Sequence, residues 1–115
     1  MARVSRVVPH RGDVFWVALD PTLGSEIQKT RPAIVVSNDA MNEHAQRVVV
    51  VPLTSNVDHC YPGEAQVEVK GKAARALGDQ LRSIDKKRLR GRLDRLTADE
   101  LRRVDEALRV TLALD

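Results

Sequence analysis

Apolar positions along this chain fall first into short runs and then into one segment of helical period. Val14 to Leu19 is apolar and aromatic and begins after the punctuation of Gly12-Asp13. Ala33 to Ser37 and Arg47 to Leu53 are β-branched runs bounded by turn residues or proline. Ala65 to Lys70 alternates, with Val67 and Val69 on one face and Glu68 and Lys70 on the other. Runs of this length and composition predict strands. Arg75–Leu81 and Leu89–Leu93 fit two more. Asp20 to Thr30 and Val57 to Glu64 have no apolar periodicity and read as loops.

The last segment is the best specified. Thr97-Ala98-Asp99-Glu100 has the form of a capping box, in which the threonine side chain accepts from the N3 amide and the glutamate reaches back to the cap amide. Leu96 is placed to staple onto Leu101. Leu101, Val104, Leu108 and Leu112 then recur at helical spacing, with Ala107 and Thr111 widening the stripe. The spacing predicts a helix over about 97–112 whose stripe is core. Many short strands and one helix predict a small barrel, mainly β (α+β), closed on one side by that helix.

A chain of 115 residues makes one domain, 1–115, with no length for a second core. Apolar residues are 43%, but the aromatics are only Phe15, Trp16 and Tyr61, so Val, Leu, Ile and Ala must fill the interior. Cys60 is the one cysteine, which excludes an intrachain disulfide and a disulfide-stapled secreted scaffold. Residues 1–13 lack the apolar segment of a secretion signal, and the longest apolar run, Val48 to Leu53, is far too short to span a bilayer. A soluble cytoplasmic protein with no membrane partner is expected.

Charge is uneven. Residues 1–69 carry 6 Lys/Arg against 8 Asp/Glu, and residues 70–115 carry 13 against 8. The stretch Arg82 to Arg95 is the densest, with Lys86, Lys87, Arg88, Arg90 and Arg92 between its ends. A basic face attracts polyanions through charge and counterion release, although a solvated charged surface accounts for the same composition.

Two segments where loop meets strand are candidates for chemistry. Gly24-Ser25-Glu26-Ile27-Gln28-Lys29-Thr30-Arg31-Pro32 is polar and delivers Arg31 into an apolar strand. Val48-Val49-Val50-Val51-Pro52-Leu53-Thr54-Ser55-Asn56 is a strand ending in small polar residues. Functional groups concentrate on loops held by rigid scaffolds. Each segment also has a structural reading: Pro32 starts a strand, and Thr54-Ser55-Asn56 caps a turn. Rival constellations are thin. His10, His44 and His59 are far apart with no metal-ligand spacing, and adjacent His59 and Cys60 point opposite ways on extended chain. There is no P-loop, dinucleotide fingerprint or zinc pattern.

Taken together, several blocks resemble the MazF/PemK toxin endoribonucleases of type II toxin–antitoxin systems. Arg11-Gly12-Asp13-Val14, Asp20-Pro21, Gly24-Ser25-Glu26 and Arg31-Pro32 look like the family's opening. Val51-Pro52-Leu53-Thr54 resembles its second block, and Ala76 to Asp85 followed by Lys87-Arg88-Leu89 its third. They occur in order, with family-like spacing, from residue 11 to the C-terminal helix. The resemblance implies a small SH3-like β-barrel of the CcdB/PemK type, a homodimer, and sequence-specific, metal-independent cleavage of single-stranded RNA with no cofactor. The implied partner is a cognate antitoxin whose acidic, partly disordered segment folds on binding. Arg31 and Thr54 match the family's catalytic positions, and Ser25, Glu26, Ser55, Gln80, Arg82 and Ser83 match substrate-binding ones. Ile27 stands where many relatives have a polar residue, which bears on base preference. The alternatives are a gyrase-poisoning toxin of the same fold, or an inactive nucleic-acid-binding relative.

The residue types suit the implied reaction. RNA cleaves itself when a 2′-OH attacks the adjacent phosphorus, so the enzyme must position the strand, stabilise the phosphorane and handle two protons. A guanidinium forks onto phosphate oxygens and stays charged, which suits Arg31 as electrostatic stabiliser and makes it a poor base. Thr54 is a hydrogen-bond donor to the same phosphate. Glu26 is the candidate base for the 2′-OH, with recognition of a base edge as its rival role.

Overall fold

The computed structural model describes residues 8–19 and 30–115. In chain order these form β1 (Asp13–Ala18), β2 (Thr30–Val35), α1 (Asp39–His44), β3 (Arg47–Thr54), β4 (Glu64–Val69), β5 (Lys72–Leu77), β6 (Arg82–Asp85), β7 (Leu89–Arg95) and α2 (Ala98–Leu112). Short 3₁₀ turns occupy Gly78–Gln80 and Lys86–Arg88. All the ladders are antiparallel, in the order β4-β5-β3-β2-β1-β7, and β6 also pairs with β3.

The sheet curls into a half-barrel with α2 packed against one side, the mainly β architecture expected from the sequence. Its two ends, β4 and β7, share no backbone ladder among the described residues. Side chains close the seam instead. Asp94 on β7 accepts the Lys70 N–H at 2.7 Å, Glu100 on α2 accepts the Glu68 N–H at 2.8 Å, and Arg103 donates to the Gln66 carbonyl at 3.2 Å. An edge strand with its polar groups occupied in this way is no template for another strand.

Strand β3 is the hub. On one edge it pairs with β2; on the other it pairs with β6 from Arg47 to Val50, then with β5 at Leu53 and Thr54. Pro52 falls in the gap where β3 has left β6 and has not yet met β5, the kind of place a strand tolerates a residue without an N–H. Apart from exposed Trp16, the central residues of β1 to β3 are largely buried on both faces, and those stretches read as apolar runs. Val14, Ile34, Val51 and Leu53 pack beneath α2 with Val104 and Ala107. Phe15, Val17, Val35, Val50 and Ile84 form a second cluster on the opposite face.

Helix α2 starts as its capping box predicts: the Thr97 hydroxyl accepts the Glu100 N–H at 3.1 Å and Glu100 accepts the Thr97 N–H at 2.9 Å. The core stripe is shorter than expected. Thr111 faces inward, its hydroxyl 3.5 Å from the Gly63 carbonyl, which turns the next residue, Leu112, outward to 49% exposure. Strand β5 also lies earlier than Arg75–Leu81. It stops at Leu77 because Gly78 donates to the Gly63 carbonyl at 3.1 Å and enters a 3₁₀ turn. Among the described residues no helix is long and apolar enough to cross a membrane.

Helix α1 has no apolar periodicity and lies outside the elements the sequence predicts. Polar groups hold it. Asn38 caps it by accepting the Met41 N–H at 2.8 Å, and fully buried Asn42 donates to the Ser37 carbonyl at 2.9 Å. The Ser37 hydroxyl bonds to Asn42 and accepts the Val49 N–H at 3.0 Å, tying the helix to β3.

Candidate active site

Arg31 is the second residue of β2 and stands opposite Val17 in the β1 ladder, beside the Trp16–Pro32 pair. The ladder from β2 to β3 starts only at Ala33–Pro52, so Arg31 and Pro32 lie at a strand end that is free on that side. This leaves the Arg31 side chain exposed while its backbone is fixed. Thr54 is the last residue of β3 and is half-buried. Its Oγ1 accepts the Asn56 N–H at 3.2 Å, and Asn56 in turn accepts the Asp58 N–H at 3.1 Å. With a backbone amide on its lone pair, the Thr54 hydroxyl is left with its proton to donate.

These residues, distant in sequence, line one open groove of about 600 Å³ together with Ser55. Trp16 and Leu93 supply apolar surface, and the β4–β5 hairpin forms the opposite wall. The lining holds three basic side chains, Arg31, Lys70 and Lys72, and no carboxylate among the described residues. Trp16 is 40% exposed, an indole face open to the solvent of a cationic groove. Among the described residues none of the three cations forms an ion pair.

The other sequence-predicted residues are placed differently. Gln80 lies in the 3₁₀ turn after β5, and Arg82 and Ser83 begin β6, all exposed and none lining this groove. Arg82 pairs with Val50, about 13 Å along β3 from Thr54 at the usual rise per residue. Ser83 accepts from Arg47 through its hydroxyl at 2.8 Å and its carbonyl at 2.9 Å. Ser25 and Glu26, with Ile27, lie outside the described residues.

The basic stretch Arg82–Arg95 does not form one continuous face toward Arg31. Lys86, Lys87, Arg90 and Arg92 line a separate cleft of about 820 Å³ over Phe15, which points away from its neighbour Trp16. Arg88 donates to the Ala18 carbonyl at 2.9 Å, and Arg95 to buried Asp13 at 2.8 Å. Part of this charge is spent inside the fold.

One residue that the sequence reading passed over bears on the groove. Arg75, itself 9% exposed, is the ladder partner of Thr54. Its Nη1 donates to the His59 carbonyl at 2.7 Å, and its Nε lies 3.6 Å from Glu64 without a hydrogen bond of its own. Glu64 also accepts the Tyr61 N–H at 3.0 Å. The pair anchors the loop that leaves Thr54. The available signal was a single charge inside the apolar run Ala73 to Leu77.

Among the described residues no three His, Cys, Asp or Glu side chains converge as a metal site. In comparisons with known proteins, residues 10–112 match the family of PemK-like, MazF-like toxins of type II toxin–antitoxin systems. The chain is 41% identical over 118 residues to endoribonuclease MazF9 of Mycobacterium tuberculosis, across 90% of this chain and 96% of that one. A MazE–MazF structure from Deinococcus radiodurans superposes with a TM-score of 0.81 at 30% identity, covering 96% of this chain and 100% of that one. A mycobacterial endoribonuclease in complex with its cognate antitoxin superposes with a TM-score of 0.79 at 25% identity, covering 93% and 97%.

Proposed function

The chain belongs to the MazF/PemK toxin endoribonucleases, and on that footing we propose that the Arg31–Thr54 groove is where it cuts single-stranded RNA. The observation that carries the reading is the convergence of a guanidinium without an ion pair and a hydroxyl free to donate, from the ends of β2 and β3, in a groove lined by no described carboxylate. This electrostatic setting attracts a phosphodiester and strengthens as its charge grows in the transition state.

In the proposed reaction the substrate supplies its own nucleophile. The 2′-oxygen bonds to phosphorus while the bond from phosphorus to the 5′-oxygen breaks, leaving a 2′,3′-cyclic phosphate and a 5′-hydroxyl. Arg31 forks onto the non-bridging oxygens and offsets the phosphorane's additional charge. Thr54 donates its proton to the same group, its orientation set by the Asn56 amide. Glu26 is the proposed acceptor of the 2′-OH proton, and solvent water supplies the proton taken by the leaving 5′-oxygen, so that the two transfers cancel once Glu26 returns its proton to solvent. No step calls for a metal.

Ser25, Glu26, Ser55, Gln80, Arg82 and Ser83 are proposed to contact the strand, with Ser55 placed beside Thr54 in the groove. A homodimer, action in the cytoplasm and inhibition by an acidic antitoxin segment complete the proposal. The relatives crystallised with MazE or a cognate antitoxin support the last of these. The experiment is to incubate purified protein with defined RNA in EDTA and map the ends. Discrete fragments with 5′-hydroxyl and cyclic-phosphate termini are expected. Intact RNA, with gyrase inhibited instead, would overturn the reading.

A further inference from the structure

Strands β4 and β5 are joined by two residues, Lys70 and Gly71, between the paired Val69 and Lys72. Both have positive φ, 52° and 78°, the tight turn that matches the twist of a hairpin. Gly71 adopts this backbone at no steric cost. Lys70 does not: a side chain at left-handed φ is crowded by its own backbone, and Asn, Asp or Gly is the usual occupant. A residue kept where the fold disfavours it directs attention to function.

The hairpin tip is held firmly. Asp94 accepts the Lys70 N–H at 2.7 Å and pins the turn to β7. The same geometry sends Lys70 and Lys72 to the wall of the Arg31–Thr54 groove, which no described carboxylate lines; Asp94 lies behind the turn, close enough to feel the Lys70 charge but with no ion pair to it. Two lysines on a rigid tip, an exposed indole in the same groove and an arginine on the other wall form a track for a single strand. Cations take the phosphates and the aromatic face takes a base.

We propose that Lys70 and Lys72 form a second phosphate-binding site, holding a backbone phosphate of the RNA that flanks the one at Arg31. This rests on the RNA-cleaving reading of the groove. The hairpin then sets affinity and the direction of the strand across the site, while Arg31 and Thr54 act on the scissile group. RNA fits better than an acidic peptide because the indole lies beside the cations and the groove is continuous with Arg31.

The test measures binding of an RNA oligonucleotide blocked by a 2′-deoxy sugar at the cut position, and cleavage of its all-ribose counterpart. Variants are Lys70→Asn, Lys72→Gln and the double variant. Lys70→Asn relieves the turn, so its thermal stability should equal or exceed that of the parent while RNA affinity falls. In the double variant affinity should fall about tenfold near physiological salt, and the log–log salt slope should become shallower by about 0.7, the value for one phosphate no longer neutralised. KM should rise with kcat unchanged. A parent that cuts RNA while the double variant keeps its affinity and salt slope would overturn this proposal alone. Loss of antitoxin binding with RNA affinity intact would overturn it too, assigning the hairpin to the protein partner. A parent that neither binds nor cuts RNA would remove the underlying reading and this site with it.

Discussion

Arg75 and Thr54 face one another across the β3–β5 ladder, and the Arg75 guanidinium reaches back over the loop that Thr54 begins, donating to the His59 carbonyl at 2.7 Å. A groove residue and its anchor are thereby neighbours on rigid backbone. With Glu64 accepting the Tyr61 N–H from the same ion pair, two largely buried charges fix the loop's path.

Removing one member of that pair should be costly. Arg75→Met leaves Glu64 buried without a counterion, and breaking a buried pair from one side costs about 3–5 kcal/mol. The double change Arg75→Met/Glu64→Leu should recover most of that stability, since neither charge remains. Cleavage should stay impaired in the double variant, because the His59 carbonyl has lost its donor and the chain beyond Thr54 its anchor. Urea midpoints and RNA cleavage measured on both variants check the split; a fully active double variant would rule out the anchoring role.

Arg31 is expected to act on the reaction and not on the fold. Its side chain is exposed and its ladder positions are met by backbone alone, so Arg31→Ala should fold normally. Its cleavage rate should drop by about 10²–10³, the usual loss for one preorganised charge contact in a transition state. Arg31→Lys should rescue little, because an ammonium keeps the charge without the fork. Circular dichroism and single-turnover cleavage of one RNA distinguish these outcomes.

Thr54 should show a graded series. Thr54→Ser keeps both the proton donor and the acceptor for the Asn56 amide and should be mild. Thr54→Val preserves shape but removes the hydroxyl, and should slow cleavage by about tenfold to a hundredfold, the worth of a hydrogen bond to a charged group. Equal rates for the valine and serine variants would place the hydroxyl outside the reaction.

Gly78 tests the junction between β5 and the loop. A Cβ there would meet the Gly63 carbonyl oxygen at 2.3 Å, and that oxygen is backbone with little freedom to retreat. Gly78→Ala should lower stability by about 1–3 kcal/mol, as overpacking does. Chemical denaturation reads this directly, and an unchanged midpoint would show that the junction opens easily.

Acid should loosen the seam of the half-barrel. The N–H groups of Lys70 and Arg95 hold the Asp94 carboxyl below the ordinary value of 3.8. At Glu100, burial works against the charge, but the amides of Thr97 and Glu68 outweigh it and leave the group below its ordinary 4.5. A carboxylate lowered in the folded state adds stability above its unfolded value, and that stability is lost as pH falls through the folded one. Melting temperature should therefore be level in this respect above about pH 5 and decline below it. Asp94→Asn should decline less steeply; an identical acid limb would exclude this carboxylate as a contributor.

Much of the fold was legible in local pattern. The capping box specified the start of α2 because its hydrogen bonds join residues within one turn. The apolar runs of β1 to β3 stood out because strand stretches largely buried on both faces select against polar residues. Arg31 and Thr54 were found through the resemblance of whole blocks, since each segment alone also reads as a strand start or a turn cap. Contacts between distant elements left no such trace. Helix α1 rests on Asn42 and Ser37 in a polar network, so it has no hydrophobic period to read. Leu112 continues the stripe in sequence, but the turn before β4 presents the Gly63 carbonyl to Thr111 and leaves Leu112 facing solvent. Arg75 and Lys70 look like incidental charges until β5 is laid against β3 and the hairpin is folded onto β7. Whether a charge is solvated, buried as an anchor or aimed into a groove depends on which strand lies beside it, and long-range pairing decides that.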